Sequence, residues 1–203
     1  MKAKAKIKIY IEGGGSGHLQ DTLFRQGWTA FFKAAGLGGK MPKVIRGQGR
    51  QRTFELFELA IANPRSGELP LLLVDSEAPV QKDHSPWKHL KARDNWDQPD
   101  GAKEDHVYLM VQVMETWFLA DREMLRRYFG NHFRENVLRD WVSLEDLPKS
   151  QVFEILERAT AACKTPYSKG KVSFELLEKL NPAAVEAACP HCARLLEYLR
   201  EPS

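Results

Sequence analysis

The segment "LPLLLVD", residues 69–75, runs without a polar break from Leu71 to Val74 and ends on an acid. It lacks the alternation of a half-buried strand. It suits a strand covered on both faces, as at the centre of a parallel sheet. Parallel neighbours need helical crossovers, and the flanking chain offers them. "AKIKIYI" (5–11) alternates and is rich in Ile, which predicts a strand. "HLQDTLFRQGWTAFFKAAG" (18–36) puts Leu19, Leu23, Trp28, Phe31 and Phe32 near helical spacing, with Gly36 as its stop. "KVIRG" (43–47) reads as a short strand, and "RTFELFELAIAN" (52–63) as an amphipathic helix closed by the turn "NPRSG". The polar stretch 76–105 holds one helical turn around Trp87 to Ala92. "HVYLMVQVM" (106–114) is the next buried strand and runs into one helix, "ETWFLADREMLRRYFG" (115–130).

This order predicts an α/β fold: a mostly parallel four-stranded sheet flanked by helices. Past residue 130 the strand signals stop. "SLEDLPKSQVFEILERATAAC", "KVSFELLEKL" and "PAAVEAACPHCARLLEYLRE" read as helices. The expected organisation is an α/β domain over 1–130 and a C-terminal helical extension over 131–203 packed on it. A chain of 203 residues is long enough for one proper core.

In an open parallel sheet, ligands bind beyond the carboxyl ends of the strands. There the first strand delivers Glu12, the third delivers Asp75 and Glu77, and the fourth delivers Glu115. Ionised carboxylates crowded together repel, and a bound cation relieves this. An all-oxygen donor set favours a hard ion, Mg²⁺ or Mn²⁺. If strand geometry continues past Asp75, the D-x-E spacing points both acids the same way. Gly13, Gly14 and Gly15 allow a sharp turn beside Glu12 and leave room for a substrate, and their N–H groups can receive a phosphate oxygen. Known phosphate loops do not fit: a dinucleotide fingerprint from Gly13 meets His18 where it needs Gly, and no Gly-Lys-Ser/Thr follows. The plain alternative is that each acid merely caps its strand.

"IYIEGGG" and "LLLVDSE" resemble the signature of the Toprim fold, a Glu with Gly beside it on the first strand and Asp-x-Asp on a later one. Glu77 stands where that pattern has its second Asp. "VDSE", "MVQVMETWFLAD", "YSKGK…LLEKLNP" and "CPHCARLLEYL" resemble, over nearly the whole chain, a bacterial Toprim-like family catalogued as domain of unknown function 4276. The resemblance implies a metal-dependent nuclease acting on DNA or RNA, with an ABC/SMC-like ATPase partner in a phage-defence setting. Its alternative is a non-catalytic nucleic-acid- or nucleotide-binding module of an ATPase complex. It makes Glu12, Asp75 and Glu77 metal ligands and catalytic residues, with Glu115 a further candidate that also suits a helix start.

Arg46, Arg50 and Arg52 in "VIRGQGRQR" leave from the acidic edge, as phosphate contacts or as a solvated loop with a charged helix start. Lys164, Lys169 and Lys171 surround Tyr167 in "CKTPYSKGKVSF", as a single-strand contact or as an exposed linker. His84 and His89 read as surface histidines, the five tryptophans as packing, and Asp121 as a surface or capping residue. "CPHC" lacks the preceding strand of a thiol oxidoreductase and the further ligands of a zinc site. Three cysteines in all point to a reducing compartment. A hydrophobic content of 43% excludes a wholly disordered chain, and the formal charge of +3 permits nucleic acid without demanding it. With no membrane-length apolar run and no signal-peptide core, a soluble cytoplasmic protein without a membrane partner is expected.

Overall fold

The computed structural model describes residues 5–14 and 18–201. Four strands, β1 (Lys6–Ile11), β2 (Lys43–Arg46), β3 (Glu68–Asp75) and β4 (Val107–Met110), form one sheet in the order β2-β1-β3-β4. Every pairing is parallel, with Ile11 opposite Arg46 and Leu73, and Asp75 opposite Met110. The carboxyl ends of the two central strands, β1 and β3, therefore meet at one edge.

The side chains of β3 explain its apolar run. Leu71 and Leu73 enter a core built with Phe24, Trp28 and Trp117. Leu72 and Val74 face the other way, onto Phe54, Phe57, Trp87 and Leu90. Both faces are dry, and each fully buried Leu or Phe contributes about 1.5–3 kcal/mol. The first face is covered by α1 (His18–Phe32) and by helices from the second half of the chain: α4 (Thr116–Ala120), α5 (Arg122–Phe129), α6 (Lys149–Thr160), α7 (Lys171–Lys179), α8 (Pro182–Ala188) and α9 (Pro190–Arg200). The second is covered by α2 (Arg50–Ala62) and α3 (Pro86–Asp94). Leu156, Leu177 and Leu195 share one core with Ile9 and Ile11, so the helices after residue 131 complete the sheet's interior.

Several local expectations change. The single helix expected over 115–130 is two, because Asp121 breaks it and caps α5 through the Met124 N–H at 3.0 Å. Asp121 also accepts from the Asn181 N–H at 2.9 Å and is buried, so it caps but is not a surface residue. The last helical stretch divides at Cys189, where Pro190 opens α9 and cannot continue α8. The helical turn near Trp87 is a full helix, with Ser85 accepting from the Lys88 N–H. Leu19 is 68% exposed rather than packed. Gly36, at φ 88, does end the first helical stretch. Gly47 is where β2 meets α2: a Cβ there would fall 1.8 Å from Thr53 Oγ1. Among the described residues no helix is long and apolar enough to cross a membrane.

Candidate metal centre

Glu12 follows β1 directly, and its backbone N–H donates to the Leu73 carbonyl at 3.0 Å, which extends the β1–β3 ladder by one bond. Asp75 is the last residue of β3. One ligand atom each of Glu12, Asp75 and Glu77 all lie within 4.8 Å of one another. Glu77 arrives by a different route from the one the spacing implied. The strand ends at Asp75, and Glu77 takes a left-handed conformation, φ 63, with its N–H on the Gln112 carbonyl at 2.8 Å. The turn, not continued strand geometry, brings the second acid round.

Each carboxylate is anchored through one oxygen. Glu12 Oε2 accepts from Arg50 Nη1 at 2.9 Å and from the Asp75 N–H at 3.3 Å. Asp75 Oδ1 accepts from the Met114 N–H at 2.9 Å. Glu77 Oε2 accepts from Lys149 Nζ, with Arg93 Nη2 at 3.7 Å. The partner oxygens Glu12 Oε1, Asp75 Oδ2 and Glu77 Oε1 take no hydrogen bond among the described residues. An anchored ligand with one free oxygen is the arrangement that orients carboxylates on a metal. Three carboxylates that each bring one oxygen within 4.8 Å of the others suit a hard divalent ion, so the residues fit Mg²⁺ or Mn²⁺.

The electrostatics are those of crowded, dry acids. Burial, then the charges of Glu12 and Glu115, push Asp75 well above the usual carboxylate range, against the pull of the Met114 N–H. Burial raises Glu12 as well, with Arg50 opposing it. Asp75 is 8% exposed and Glu115 only 2%. Glu115 lies past the end of β4, as the residue before α4, and its Oε1 accepts from Tyr167 Oη at 3.0 Å and Ser173 Oγ at 3.4 Å. Burial and the Glu115 charge raise the Tyr167 phenol, so it stays a donor. A cavity of about 240 Å³ is lined by Glu12, Asp75, Glu115, Lys169 and Ser173.

The basic residues are placed differently from expectation. Arg50 is a charged helix start: it opens α2, but it is not solvated, and it holds Asp94 through Nε and Nη2 at 3.0 and 2.7 Å. It also donates to the Asp75 carbonyl and lies over Trp96, 5.0 Å from the ring centroid. Arg46 is buried, donating to Asp21 and to the Gly14 carbonyl. Arg52 is exposed on α2 and pairs with Glu55 at 3.2 Å, outside the cluster. Lys171 pairs with Glu175 along α7 at 3.7 Å. Lys169 lies over Phe153 at 5.2 Å and lines the cavity. Gly13 and Gly14 line it too, but a Cβ on Gly13 would meet Phe24 at 2.7 Å, so that glycine answers a packing demand, whereas Gly14 faces open space. Gly15 lies outside the described residues.

His89 is a buried residue and not a surface one: its Nε2 donates to the Ser76 carbonyl at 2.9 Å, and burial lowers its pKa. Cys189 and Cys192 of "CPHC" are free, fully buried thiols. Sequence reasoning missed the anchoring roles of Arg50, Asp94, Lys149, Tyr167 and Ser173. The carboxylates that these residues pair with lie 38 to 72 residues away, and no local pattern announces them.

A family model covers residues 11–200, nearly the whole chain and all of this site. The chain belongs to the family described as Domain of unknown function (DUF4276). No curated protein and no solved structure matches it. The DUF4276 match takes in Glu12, Asp75, Glu77 and Glu115 together with the α6 and α7 residues that hold them.

Proposed function

We propose that this DUF4276 chain is a divalent-metal-dependent, Toprim-like phosphodiesterase that cuts DNA or RNA. The observation that carries this reading is the meeting of Glu12, Asp75 and Glu77 within 4.8 Å at the carboxyl edge of a parallel sheet. Their position at the ends of β1 and β3 supports the Toprim-like reading, and a nuclease of this kind suits an ABC/SMC-like ATPase partner. A bound Mg²⁺ or Mn²⁺ supplies charge stabilisation for a phosphate and lowers the pKa of a water.

The chain's own residues do the rest. Arg50 and the Met114 N–H fix Glu12 and Asp75 before substrate arrives, which spares reorganisation during the reaction. Glu115, a buried acceptor in the cavity wall, would take a proton from the attacking water. Lys169 offers a positive charge to the phosphate from the same cavity.

The test uses labelled single- and double-stranded DNA and RNA with Mg²⁺, Mn²⁺ or EDTA, and Asp75→Asn beside the wild type. Cleavage that needs the ion and disappears in the variant is expected. Equal cleavage by both proteins would overturn the assignment.

A second reading has its own observation. Arg50, Arg93 and Lys149 already offset the acids, as they would in a module that binds nucleic acid or a nucleotide without cutting it. Tight binding that needs no divalent ion, with no cleavage, favours that module.

A further inference from the structure

Two kinds of cation face the acid cluster, and they are held differently. Arg50 is fixed by Asp94, the Asp75 carbonyl and the Trp96 ring as well as by Glu12. Among the described residues the Lys149 side chain pairs with Glu77 alone, and it is 33% exposed. Its backbone is pinned, because the Lys149 N–H donates to Gln112 Oε1 at 3.2 Å. The Gln112 carbonyl holds the Glu77 N–H at 2.8 Å. Gln112 thus anchors the backbone at both ends of the ion pair, while the Lys149 side chain is partly exposed. Arg93, the other cation near Glu77, sits farther off at 3.7 Å and also pairs with Asp94. Lys149 does not line the cavity that holds Lys169, so it offers a second, separate positive contact beside the acids.

We infer that Lys149 is an exchangeable counter-cation: it neutralises Glu77 in the free protein and passes to a phosphate oxygen of the nucleic acid when a divalent ion takes Glu77. This rests on the metal-dependent reading above. An ammonium and a divalent ion repel across one carboxylate, so the ion binds best when the lysine leaves. An arriving phosphodiester brings the negative charge that receives it. Ion and nucleic acid then strengthen each other's binding, and the gain is reciprocal. Lysine suits the task because its charge is compact and rides on a flexible stem, whereas the forked Arg50 is locked in place.

The experiment measures Mn²⁺ affinity of the full chain by the electron paramagnetic resonance of free Mn²⁺. A cleavage-resistant phosphorothioate single strand is absent or saturating, and Mn²⁺ held by the strand alone is subtracted. Wild type, Lys149→Met and Lys149→Arg are compared. Without the strand, Lys149→Met binds Mn²⁺ about tenfold more tightly, the order expected from deleting one unit charge beside a partly screened site. With the strand, wild type gains about tenfold and Lys149→Met less than about threefold, because the coupling has lost its carrier. Lys149→Arg keeps the charge and restores the wild-type coupling. The pinned backbone bond survives in all three, and Lys149→Gln replaces the Met variant if that one melts early. Wild-type affinity and full coupling in the charge-deleted variant overturn the role of Lys149 and leave the metal site standing. Absence of Mn²⁺ binding in every protein overturns the metal reading, and this inference with it.

Discussion

Arg50 and Asp94 stand 44 residues apart in sequence and meet through two parallel bonds of 3.0 and 2.7 Å, while the same guanidinium reaches Glu12 at 2.9 Å. One side chain thereby ties the end of α3 to the ends of β1 and β3. Both members are largely shielded from water. Replacing Arg50 by Met leaves Asp94 without its fork and Glu12 without its counter-charge. The expected loss is about 3–5 kcal/mol, the usual consequence of breaking a buried pair from one side. Asp94→Asn added to Arg50→Met recovers part of that loss. Urea unfolding of the two single variants and the double variant measures it, and strict additivity would contradict the coupling.

Asp75 makes stability depend on pH with an unusual sign. Its native pKa lies well above the ordinary carboxylate value, first because it is buried and then because Glu12 and Glu115 are near. Between the unfolded value of about 3.9 and the raised native value, the native state keeps a proton that the unfolded chain has released. The unfolded chain binds fewer protons, so stability falls as pH rises through that window and then levels off. Glu12 is raised in the same direction. In EDTA, the wild-type melting temperature should fall as pH rises above the unfolded carboxylate value of about 4. Asp75→Asn, which retains an acceptor for the Met114 N–H, should melt higher than wild type at the alkaline end, by about 2–4 °C for each kcal/mol removed. Calorimetry across a pH series decides, and a wild-type curve that climbs with pH speaks against it. Divalent ions compete with these protons, so their binding should tighten as pH rises.

Tyr167 holds Glu115 from the segment before α7. Tyr167→Phe deprives a buried carboxylate of its shorter hydrogen bond and should destabilise by about 1.5–3 kcal/mol. Ser173→Ala removes a longer bond to Glu115, at 3.4 Å, with the Ser173 contacts to Tyr167 Oη at 3.1 Å and the Gly170 N–H at 3.3 Å, but leaves the carboxylate its Tyr167 bond and should cost less. Chemical denaturation ranks the two, and the opposite order would mean that Ser173 is the main anchor.

The thiols of "CPHC" should be silent in the native protein. Burial pushes Cys189 up to about 12 and Cys192 well above its ordinary value. Cys163 is raised as well. A chromogenic disulfide reagent near neutral pH should react with none of the three at an appreciable rate until denaturant is added, and then with all. Prompt labelling of Cys189 or Cys192 in the folded chain would refute this.

The strands, their parallel pairing and the helices between them were legible because each depends on local periodicity and on the crossover that parallel neighbours require, although β4 stops at Met110 and not at the expected residue 114. The acids at the ends of β1 and β3 were legible for the same reason, since a strand's last residue is visible in its own pattern. The breaks at Asp121 and Cys189 were harder. One turns on a cap shared with Asn181, the other on how a proline is accommodated.

Residue order alone thus settled which acids lie at the carboxyl edge, through backbone hydrogen bonding that reads only nearby spacing. Tertiary contact decided what surrounds them. Arg50 became a fixed strut, Glu77 reached the cluster through a left-handed turn, Lys149 came in from the start of α6, and Tyr167 from the segment before α7. Those outcomes follow from burial and charge pairing between segments far apart in the chain, where the energy of a side chain depends on neighbours that no short stretch specifies.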